Sequence, residues 1–494
     1  MNNFEEFKKK TKTANVIPVV ETLPADLLTP LAVYLKLAAT AENSFLLESV
    51  EGGETLARYS FIGVDPHFTA VGNDSEVTIS DQAGSKTITT SMLSFLREHF
   101  GNYRVYEDGT LPSFIGGAIG SMNFSCSAWF EPSLKKSTKP EHDESSFMFF
   151  RSIVAFDHAK QLIQIVTLVF TDEVGDDENL QASFSAACKR NSEIKDILEH
   201  GELHLPKNGT DADSQPAVSN WEKADFENAV AEIKELINAG EAYQVVISQC
   251  FTKPTTASPV AIYRAIRSLN PSPYMFLIRT GGKSVIGASP EMLVRVRGRD
   301  LEYRPIAGTR PRGTSTEEDV RLAEEMRADR KEVAEHLMLV DLGRNDLGRV
   351  AEFGSVKVDI LMNVEKYSHV QHLVSYLSAT LRDGLDRFDA LASCFPAGTV
   401  SGAPKVRAIE IIQNLEPTAR GAYAGAVGYF DYAGNMDTCI AIRTLVLENG
   451  VAKIQAGAGI VADSVPELEY QETVNKARAM IKAVEIAERS EPPA

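Results

Sequence analysis

Two pairs of acidic residues, each with a spacing of three, offer the clearest chemistry in this chain. Glu332 and Glu335 form the first pair, and Glu469 and Glu472 form the second. Both pairs lie in helix-like runs, where residues i and i+3 share a face with Cβ atoms about 5–6 Å apart. Residues 333–342 (VAEHLMLVDL) are apolar on most sides and predict a buried helix around the first pair. A carboxylate buried there must be paired, protonated or bound to a metal.

Four convergent carboxylates would make a hard oxygen site of the kind that suits Mg²⁺. The alternative interpretation is a solvated acidic helix face, which is the commoner meaning of any single Glu-x-x-Glu. Lys476 lies one helical turn beyond Glu472 and could meet an anion. The alternative role for Lys476 is an ordinary i,i+4 salt bridge with Glu472.

Three glycine-rich segments could present backbone N–H groups to an anion. Residues 305–313 (PIAGTRPRG) add two Arg, which recognise carboxylates in a bidentate way, although the segment could also be a turn with solvated Arg. Residues 397–405 (AGTVSGAPK) lack the G-K-[ST] ending of a nucleotide-binding loop, so only small-anion contact through Thr399 and backbone amides remains. Residues 455–461 (QAGAGIV) end a predicted strand just before the second acidic helix.

Composition excludes several other classes of function. A net charge of −18 argues against a nucleic-acid partner, because phosphate binding needs a basic surface. Five scattered cysteines without a C-x-x-C motif predict free thiols in a reducing compartment. The sequence contains no signal-peptide pattern, 18-residue apolar run, H-E-x-x-H or G-x-S-x-G. We therefore expect a cytoplasmic protein with no membrane partner. A lone histidine in an apolar stretch, such as His372, is more often a core residue than a catalytic one.

The elements that must position these residues are clusters of strands interrupted by helices. Residues 1–205 are β-rich, residues 206–220 are polar and predict a linker or loop, and residues 221–494 form a second part. Strands in clusters favour an α+β fold with antiparallel sheets over a doubly wound α/β fold. Among the longer elements we predict strands at Phe147–Asp157, Gln161–Phe170 and Thr438–Glu448, and helices at Asn179–Glu199, Glu222–Ala239, Thr316–Leu342 and Glu467–Arg489.

The chain resembles the chorismate-utilising enzymes in a long series of segments, in order, over nearly all of residues 220–490. They read GEAYQVVISQ, GASPEML, PIAGTRPRG, KEVAEHLMLVDLGRND, VQHLVS, PAGTVSGAPKVRA, AIRT and GAGIVADSVPELEYQETVNKA. The N-terminal half is similar through LLESV and RYSFIG, and it departs from the family pattern in the segment Gly116–Phe124, which we interpret as a loop. The resemblance implies a sandwich-like core of large antiparallel sheets with helices packed outside.

Two positions distinguish the branches of this family. Members that add water carry a Lys at the position of Gln244 to activate the water, whereas ammonia needs no such base. Members that form 4-amino-4-deoxychorismate often carry a nucleophilic Lys at the position of Ala307. The resemblance therefore implies the anthranilate-forming branch, a lyase activity that opens tryptophan biosynthesis, with aminodeoxychorismate formation as the alternative. A rival of another class is an amino-acid sensor that has lost the chemistry, which the retained Glu291 and His372 argue against.

The resemblance also implies roles for the acidic residues. Glu335 and Glu472 would ligate Mg²⁺ directly, and Glu332 and Glu469 would act directly or through water. Glu291 would protonate the departing C4 hydroxyl as ammonia adds at C2, for which its carboxyl must be protonated at neutral pH.

The other implied site residues assist the chemistry or hold carboxylates. His372 would help in losing the C2 proton as pyruvate is eliminated. Gln244 and Thr309 complete the catalytic set, and the implied substrate-binding residues are Arg443, Tyr423, Thr399, Gly457, Gly459, Lys476 and Gly308.

A second site and a partner follow from the same resemblance. Eight residues resemble the tryptophan feedback pocket of the family: Leu47, Glu48, Ser49, Asn270, Pro271, Tyr274, Met275 and Tyr429. From their segments alone, a strand edge packed on a loop is the simpler interpretation. The chain has no glutamine-amidotransferase Cys-His-Glu pattern, so the resemblance implies a separate amidotransferase subunit that supplies ammonia. Heterotetramers of two such pairs are common in the family.

Overall fold

The structure, a computed structural model, describes residues 3–49, 58–139, 141, 143–206, 215–367 and 370–489. Its α-helices are α1 (Phe4–Lys10), α2 (Pro30–Leu37), α3 (Met92–Phe100), α4 (Ser127–Phe130), α5 (Asp177–His200), α6 (Lys223–Asn238), α7 (Pro259–Leu269), α8 (Thr316–Ala328), α9 (Arg330–Gly348), α10 (Arg387–Cys394), α11 (Lys405–Leu415) and α12 (Pro466–Glu488). None of these described helices is both long and apolar enough to span a bilayer.

The strands are β1 (Val16–Pro24), β2 (Ser44–Glu48), β3 (Tyr59–Val64), β4 (Phe68–Gly72), β5 (Val77–Asp81), β6 (Gly84–Ile88), β7 (Gly117–Met122), β8 (Ser145–Phe150), β9 (Ser152–Asp157), β10 (Leu162–Phe170), β11 (Val218–Ser219), β12 (Gln244–Pro254), β13 (Tyr274–Thr280), β14 (Lys283–Ser289), β15 (Met292–Arg297), β16 (Asp300–Tyr303), β17 (Ile306–Pro311), β18 (Lys357–Lys366), β19 (Val370–Thr380), β20 (Gly402–Ala403), β21 (Ala426–Asp431), β22 (Met436–Ile440), β23 (Thr444–Glu448) and β24 (Val451–Ile460).

In the described part of the chain these strands form two antiparallel sheets of twelve strands each. The first has the order β1-β10-β9-β3-β2-β13-β14-β23-β24-β12-β11, with β20 beside β12. The second has the order β17-β19-β16-β15-β22-β21-β7-β8-β4-β5-β6, with β18 beside β19. The largest apolar core contains residues of both sheets, such as Phe45 and Phe147, and a second core joins the first sheet to α7 and α12. The α+β fold with a sandwich-like core is confirmed.

The predicted division of the chain into two parts stays a prediction. Both sheets contain strands from either side of residues 206–220, so the two parts share one framework. Residues 207–214 of the predicted linker lie outside the described residues, and Val218–Ser219 pairs with β12 as a short edge strand.

Two stretches that we predict as single strands are each two strands in different sheets. Phe147–Asp157 divides at Arg151 between β8 and β9, and Thr438–Glu448 divides at residues 441–443 between β22 and β23. The prediction is wrong there because the segments on both sides of each crossing are buried, so the apolar pattern continues without interruption. The segment Gly116–Phe124 is also not a loop, because most of it forms the buried strand β7 between β21 and β8.

The predicted helix Thr316–Leu342 is likewise divided into α8 and α9. Asp329 has an extended conformation, with ψ of 109°, and its carboxylate accepts from the backbone N–H groups of Lys331 and Glu332. This cap begins α9 and sets the direction of the helix that carries the first acidic pair. Ser315 caps the start of α8, since its hydroxyl oxygen accepts from the backbone N–H of Glu318 at 3.2 Å.

Candidate active site

Most of the predicted catalytic and substrate-binding residues meet at one cavity of about 330 Å³. The cavity lies at the adjoining ends of β12 and β24, beside the crossing from β22 to β23, and under α9 and α12. The predicted residues that line it are Gln244, Glu291, Thr309, Glu335, His372, Thr399, Tyr423, Arg443, Gly457, Gly459, Glu469, Glu472 and Lys476. Gly308 and Glu332 are not among its lining residues.

Two adjacent chain crossings deliver Glu291 and Arg443 to the cavity. The chain leaves the first sheet at the end of β14 and enters the second at β15, with Glu291 between them. It returns from β22 to β23 through Arg443, whose φ is +50°. The crossings touch each other, because Ile440 N donates to Glu291 O at 3.1 Å and Ala288 N donates to Arg443 O at 3.1 Å.

The carboxyl group of Glu291 has the properties of a proton donor. The residue is only 6% exposed, and burial raises its pKa to about 8, although the neighbouring Thr399 hydroxyl and Arg304 act in the opposite direction. The group is therefore mostly protonated at neutral pH, as a general acid must be.

His372 on β19 is arranged as a neutral base. Its Nδ1 lies 2.9 Å from the carbonyl oxygen of Gly308 and 3.1 Å from Thr309 Oγ1. Since a carbonyl oxygen can only accept, Nδ1 carries the proton and Nε2 is left as a proton acceptor. Burial lowers the pKa of His372, which favours the neutral ring. Gly308, with φ of +67°, therefore contributes by holding this histidine.

Three of the four predicted acidic residues face the cavity, from two helices. Burial raises the pKa of Glu335 on α9, and the carboxylates of Glu332 and Glu472 raise it further. Burial and Glu472 also raise the pKa of Glu469 on α12. Glu332 itself is paired with Arg310, whose Nη1 donates to Glu332 Oε1 at 2.8 Å.

The donor chemistry of these residues fits a hard cation such as Mg²⁺. Carboxylate oxygens of Glu335, Glu469 and Glu472 face one space without a thiol beside them, and the charge of Glu472 raises the pKa of the other two. In the ranges that the structure covers, no group of three or more His, Cys, Asp or Glu side chains is placed so that it could hold a metal ion. A cation would therefore require the two helices' glutamates to turn toward each other.

The cationic side chains of the cavity differ in their partners. Lys476 Nζ lies 2.7 Å from Glu472 Oε1 and 3.0 Å from Gly457 O, so the predicted salt bridge forms and also reaches the strand. Arg443 has no acidic partner among the described residues, and burial lowers its pKa. Because it lacks a carboxylate of its own, Arg443 can bind one from a ligand.

Gly457 and Gly459 on β24 make room for two polar side chains. A Cβ at Gly457 would lie 2.7 Å from the Tyr423 hydroxyl, and a Cβ at Gly459 would lie 2.5 Å from Gln244 Nε2. Burial raises the pKa of Tyr423 to about 12, so its hydroxyl remains a hydrogen-bond donor. Sequence reasoning missed Lys331 and Gln455 as lining residues, although Lys331 stands in a motif that carries the family resemblance and Gln455 begins the glycine-rich segment 455–461.

A second cavity, of about 450 Å³, gathers most of the predicted tryptophan-binding residues: Leu47, Glu48, Ser49, Tyr274, Met275 and Tyr429. The Glu48 carboxylate is already engaged on α7, where Tyr263 and Arg267 donate to it. The buried Ser49 hydroxyl has no hydrogen-bond partner among the described residues. Asn270, which ends α7, and Pro271 are not among the residues that line this cavity.

Arg295 and Asp437 are among the charged residues of the second cavity that were not predicted. Arg295 Nε donates to Asp437 Oδ2 at 2.8 Å, and the Tyr274 hydroxyl donates to Asp437 Oδ1 at 3.1 Å. Arg295 lies on β15 and Asp437 lies on β22. The pairing of these two strands places the two residues opposite each other, and the sequence alone does not show that pairing.

The comparisons with known proteins agree with this geometry. Residues 42–482 match the family described as chorismate binding enzyme. The chain belongs to this family. It is 44% identical to the anthranilate synthase component 1 of Pseudomonas aeruginosa, over 99% of this chain and 100% of that protein. It is also 44% identical to the protein of the same name from Aquifex aeolicus, over 99% of both chains. The crystal structure of anthranilate synthase component I from Streptococcus pneumoniae superposes with a TM-score of 0.75 at 34% identity, over 93% of this chain and 99% of that chain.

Proposed function

We propose that this chain is an anthranilate synthase component 1, which converts chorismate and ammonia into anthranilate and pyruvate. The observation that carries the proposal is that Gln244 and Ala307 line the same cavity as the protonated Glu291. Neither side chain can activate water or attack the ring, so ammonia supplied from outside is left as the nucleophile. The full-length likeness to proteins of that name supports the same activity.

The residues divide the reaction into two steps. Glu291 gives its proton to the C4 hydroxyl, which leaves as water while ammonia bonds to C2. His372 Nε2 then takes the C2 proton as the bond between the ring and the enolpyruvyl oxygen breaks and the ring becomes aromatic. The released enolpyruvate takes up a proton and becomes pyruvate. The pKa shifts of both groups favour these directions of transfer, since Glu291 is held protonated and His372 is held neutral.

Two sets of donors would bind the two carboxylates of chorismate. Arg443 and the Tyr423 hydroxyl face the cavity beside the crossing from β22 to β23 and would bind the enolpyruvyl carboxylate. The ring carboxylate would lie against Thr399, the backbone of Gly457 and Lys476.

Mg²⁺ is part of the proposal. Glu335 and Glu472 would hold it, with Glu469 nearby and Glu332 acting only if it releases Arg310. When bound, the cation would neutralise the ring carboxylate and the mutual repulsion of the glutamates.

We also propose that the second cavity binds tryptophan as a feedback inhibitor. Its apolar walls suit an indole ring, and the unpartnered Ser49 hydroxyl could accept from the ammonium group. Because Glu48 is already engaged by α7, we do not assign it the ammonium group. Inhibition requires tryptophan to favour a state that binds or converts chorismate less well.

The ammonia source completes the proposal. A separate glutamine amidotransferase, component 2, would deliver ammonia in the cytoplasm, with two such pairs forming a heterotetramer. Naming of the relatives as component 1 supports the existence of this partner.

Product identification tests the proposed function. Purified chain is incubated with chorismate, Mg²⁺ and an ammonium salt, with and without chelator, and the products are separated by chromatography. We expect equal amounts of anthranilate and pyruvate, and neither product with the chelator. A product that keeps the enolpyruvyl group would instead indicate aminodeoxychorismate synthase, and isochorismate without ammonia would indicate a water-adding enzyme. Tight tryptophan binding without turnover would indicate a sensor.

A further inference from the structure

Ser289, the last residue of β14, is fully buried between the two chain crossings of the active site. Its Oγ donates to the carbonyl oxygen of Ile440 at 2.7 Å and accepts from the backbone N–H of Glu291 at 3.3 Å. Ile440 N in turn donates to Glu291 O at 3.1 Å. These three contacts form a closed ring that joins one crossing to the other.

The ring stands where regular sheet pairing is interrupted. Two segments of the chain change from one sheet to the other here, and the pairing of β15 with β22 shifts register between Met292 and Val294. A buried backbone carbonyl or N–H that loses its ladder partner needs another one. The Ser289 hydroxyl supplies one to the backbone N–H of Glu291 and is a second donor to the Ile440 carbonyl, which also accepts from Ile442 N at 2.8 Å.

We propose that Ser289 is a positioning residue, whose hydroxyl fixes the segment of the proton donor Glu291 against the segment that carries Arg443. The roles of Glu291 and Arg443 rest on the proposed function, but the link between their segments does not. Without the hydroxyl, the bonds from Ile440 N to Glu291 O and from Ala288 N to Arg443 O remain between the two crossings. The proton donor then loses its fixed position relative to the bound substrate carboxylate.

Three variants test the link. Ser289→Ala removes the hydroxyl, and Ser289→Thr restores it with one added methyl group. The matched control is Ser284→Ala, which removes a buried serine hydroxyl from the other end of β14, away from both crossings. Anthranilate formation with ammonium gives kcat and KM for chorismate. Thermal unfolding of each variant reports stability separately.

We expect Ser289→Ala to lower kcat about tenfold to a hundredfold, the size of effect that a misplacement of about 1 Å produces. KM for chorismate should rise by a smaller factor, because Arg443 keeps its charge. Ser289→Thr should recover most of kcat, and Ser284→Ala should stay within about twofold of the unsubstituted chain, as expected of a site without a special partner. A purely structural serine would lower the melting temperature and leave kcat of the folded protein unchanged.

Hydrogen exchange tests the same link without relying on activity or on a variant that must fold. In the unsubstituted chain the amides of Glu291 and Ile440 should be as protected as the paired amides of β22. Ser289→Ala should speed exchange of the Glu291 amide by about tenfold, the factor that corresponds to its one lost hydrogen bond, and leave β24 unchanged. Exchange at Ile440 should rise by a smaller factor, because its amide keeps the bond to Glu291 O.

Several outcomes would overturn the inference. They are rapid exchange of either amide in the unsubstituted chain, an unchanged kcat in Ser289→Ala, or equal loss in the Ala and Thr variants. If the unsubstituted chain forms no anthranilate, the proposed function fails, and the exchange data alone then decide whether Ser289 joins the crossings.

Discussion

Replacing Glu291 by glutamine should stabilise the protein at neutral pH while removing its activity. The carboxyl has a pKa of about 8 in the folded chain, against an ordinary value of 4.5. Between these two pH values the folded protein keeps a proton that the unfolded chain releases. The folded state therefore binds more protons, and its stability falls as the pH rises through this range.

The size of the effect follows from this difference. Each pH unit above 4.5 costs the folded state about 1.4 kcal/mol, so the penalty at pH 7 is about 3 kcal/mol at most. Glutamine has a similar shape and no charge to lose, so Glu291→Gln removes the penalty. For a chain of 494 residues, about 3 kcal/mol corresponds to a melting temperature about 3 °C higher.

Melting temperatures of both proteins from pH 5 to pH 8, with kcat measured in parallel, test this prediction. The advantage of the variant should be small at pH 5 and should grow toward pH 8, while kcat falls at least about a hundredfold for loss of the general acid. Unsubstituted protein should lose activity as the pH rises through about 8. Glu324→Gln, a change at an exposed residue of α8, is the control and should show no pH-dependent advantage. A variant that is less stable at pH 7, or that keeps its activity, would refute the reasoning.

Four further predictions concern the two cavities. Glu335→Gln and Glu472→Gln should each lower anthranilate formation by at least about a hundredfold at fixed Mg²⁺, and near-normal rates in both would dismiss the metal assignment. Arg443→Ala should raise KM for chorismate by about tenfold to a hundredfold, from loss of a charged hydrogen bond to a carboxylate, and an unchanged KM would contradict its assigned role. Ser49→Ala should weaken inhibition by tryptophan and leave the uninhibited rate unchanged, so unaltered inhibition would discard the proposed pocket. Gln244→Lys should admit water as a nucleophile, which is checked by searching for isochorismate among the products.

Most residues of the site could be predicted because each stands in a short segment of the sequence that is recognisable by itself. Thirteen predicted residues line one cavity, and all of them except Tyr423 stand in motifs that were recognisable one by one. What the motifs do not contain is tertiary pairing. Glu332 is bound by Arg310, which lies 22 positions away on β17, and no spacing rule shows that contact.

Two neighbouring residues of the predicted tryptophan pocket have different surroundings, which strand geometry explains. Glu48 and Ser49 are neighbours at the end of a strand, and adjacent strand residues point to opposite faces of a sheet. Both residues line the second cavity, but the Glu48 carboxylate accepts from Tyr263 and Arg267 of α7, whereas the Ser49 hydroxyl has no partner among the described residues.

The crossings between sheets are the part of the fold that sequence patterns concealed. Residues 441–443 interrupt what reads as a single strand, because the chain is buried before and after the crossing. That interruption places Arg443, with φ of +50°, in the cavity. The irregular segment that the sequence pattern did not reveal is therefore one that builds the site.

Linkage between cation and substrate tests the central claim most directly. Calorimetric titration of Mg²⁺ is carried out with and without chorismate, in the absence of ammonia so that no turnover occurs. We predict that chorismate strengthens Mg²⁺ binding and that Mg²⁺ strengthens chorismate binding by the same factor, because the two meet in one cavity. Glu335→Gln should abolish both effects. Equal chorismate affinity in the presence of Mg²⁺ and of excess chelator would contradict the claim that glutamates of α9 and α12 hold a cation against the substrate.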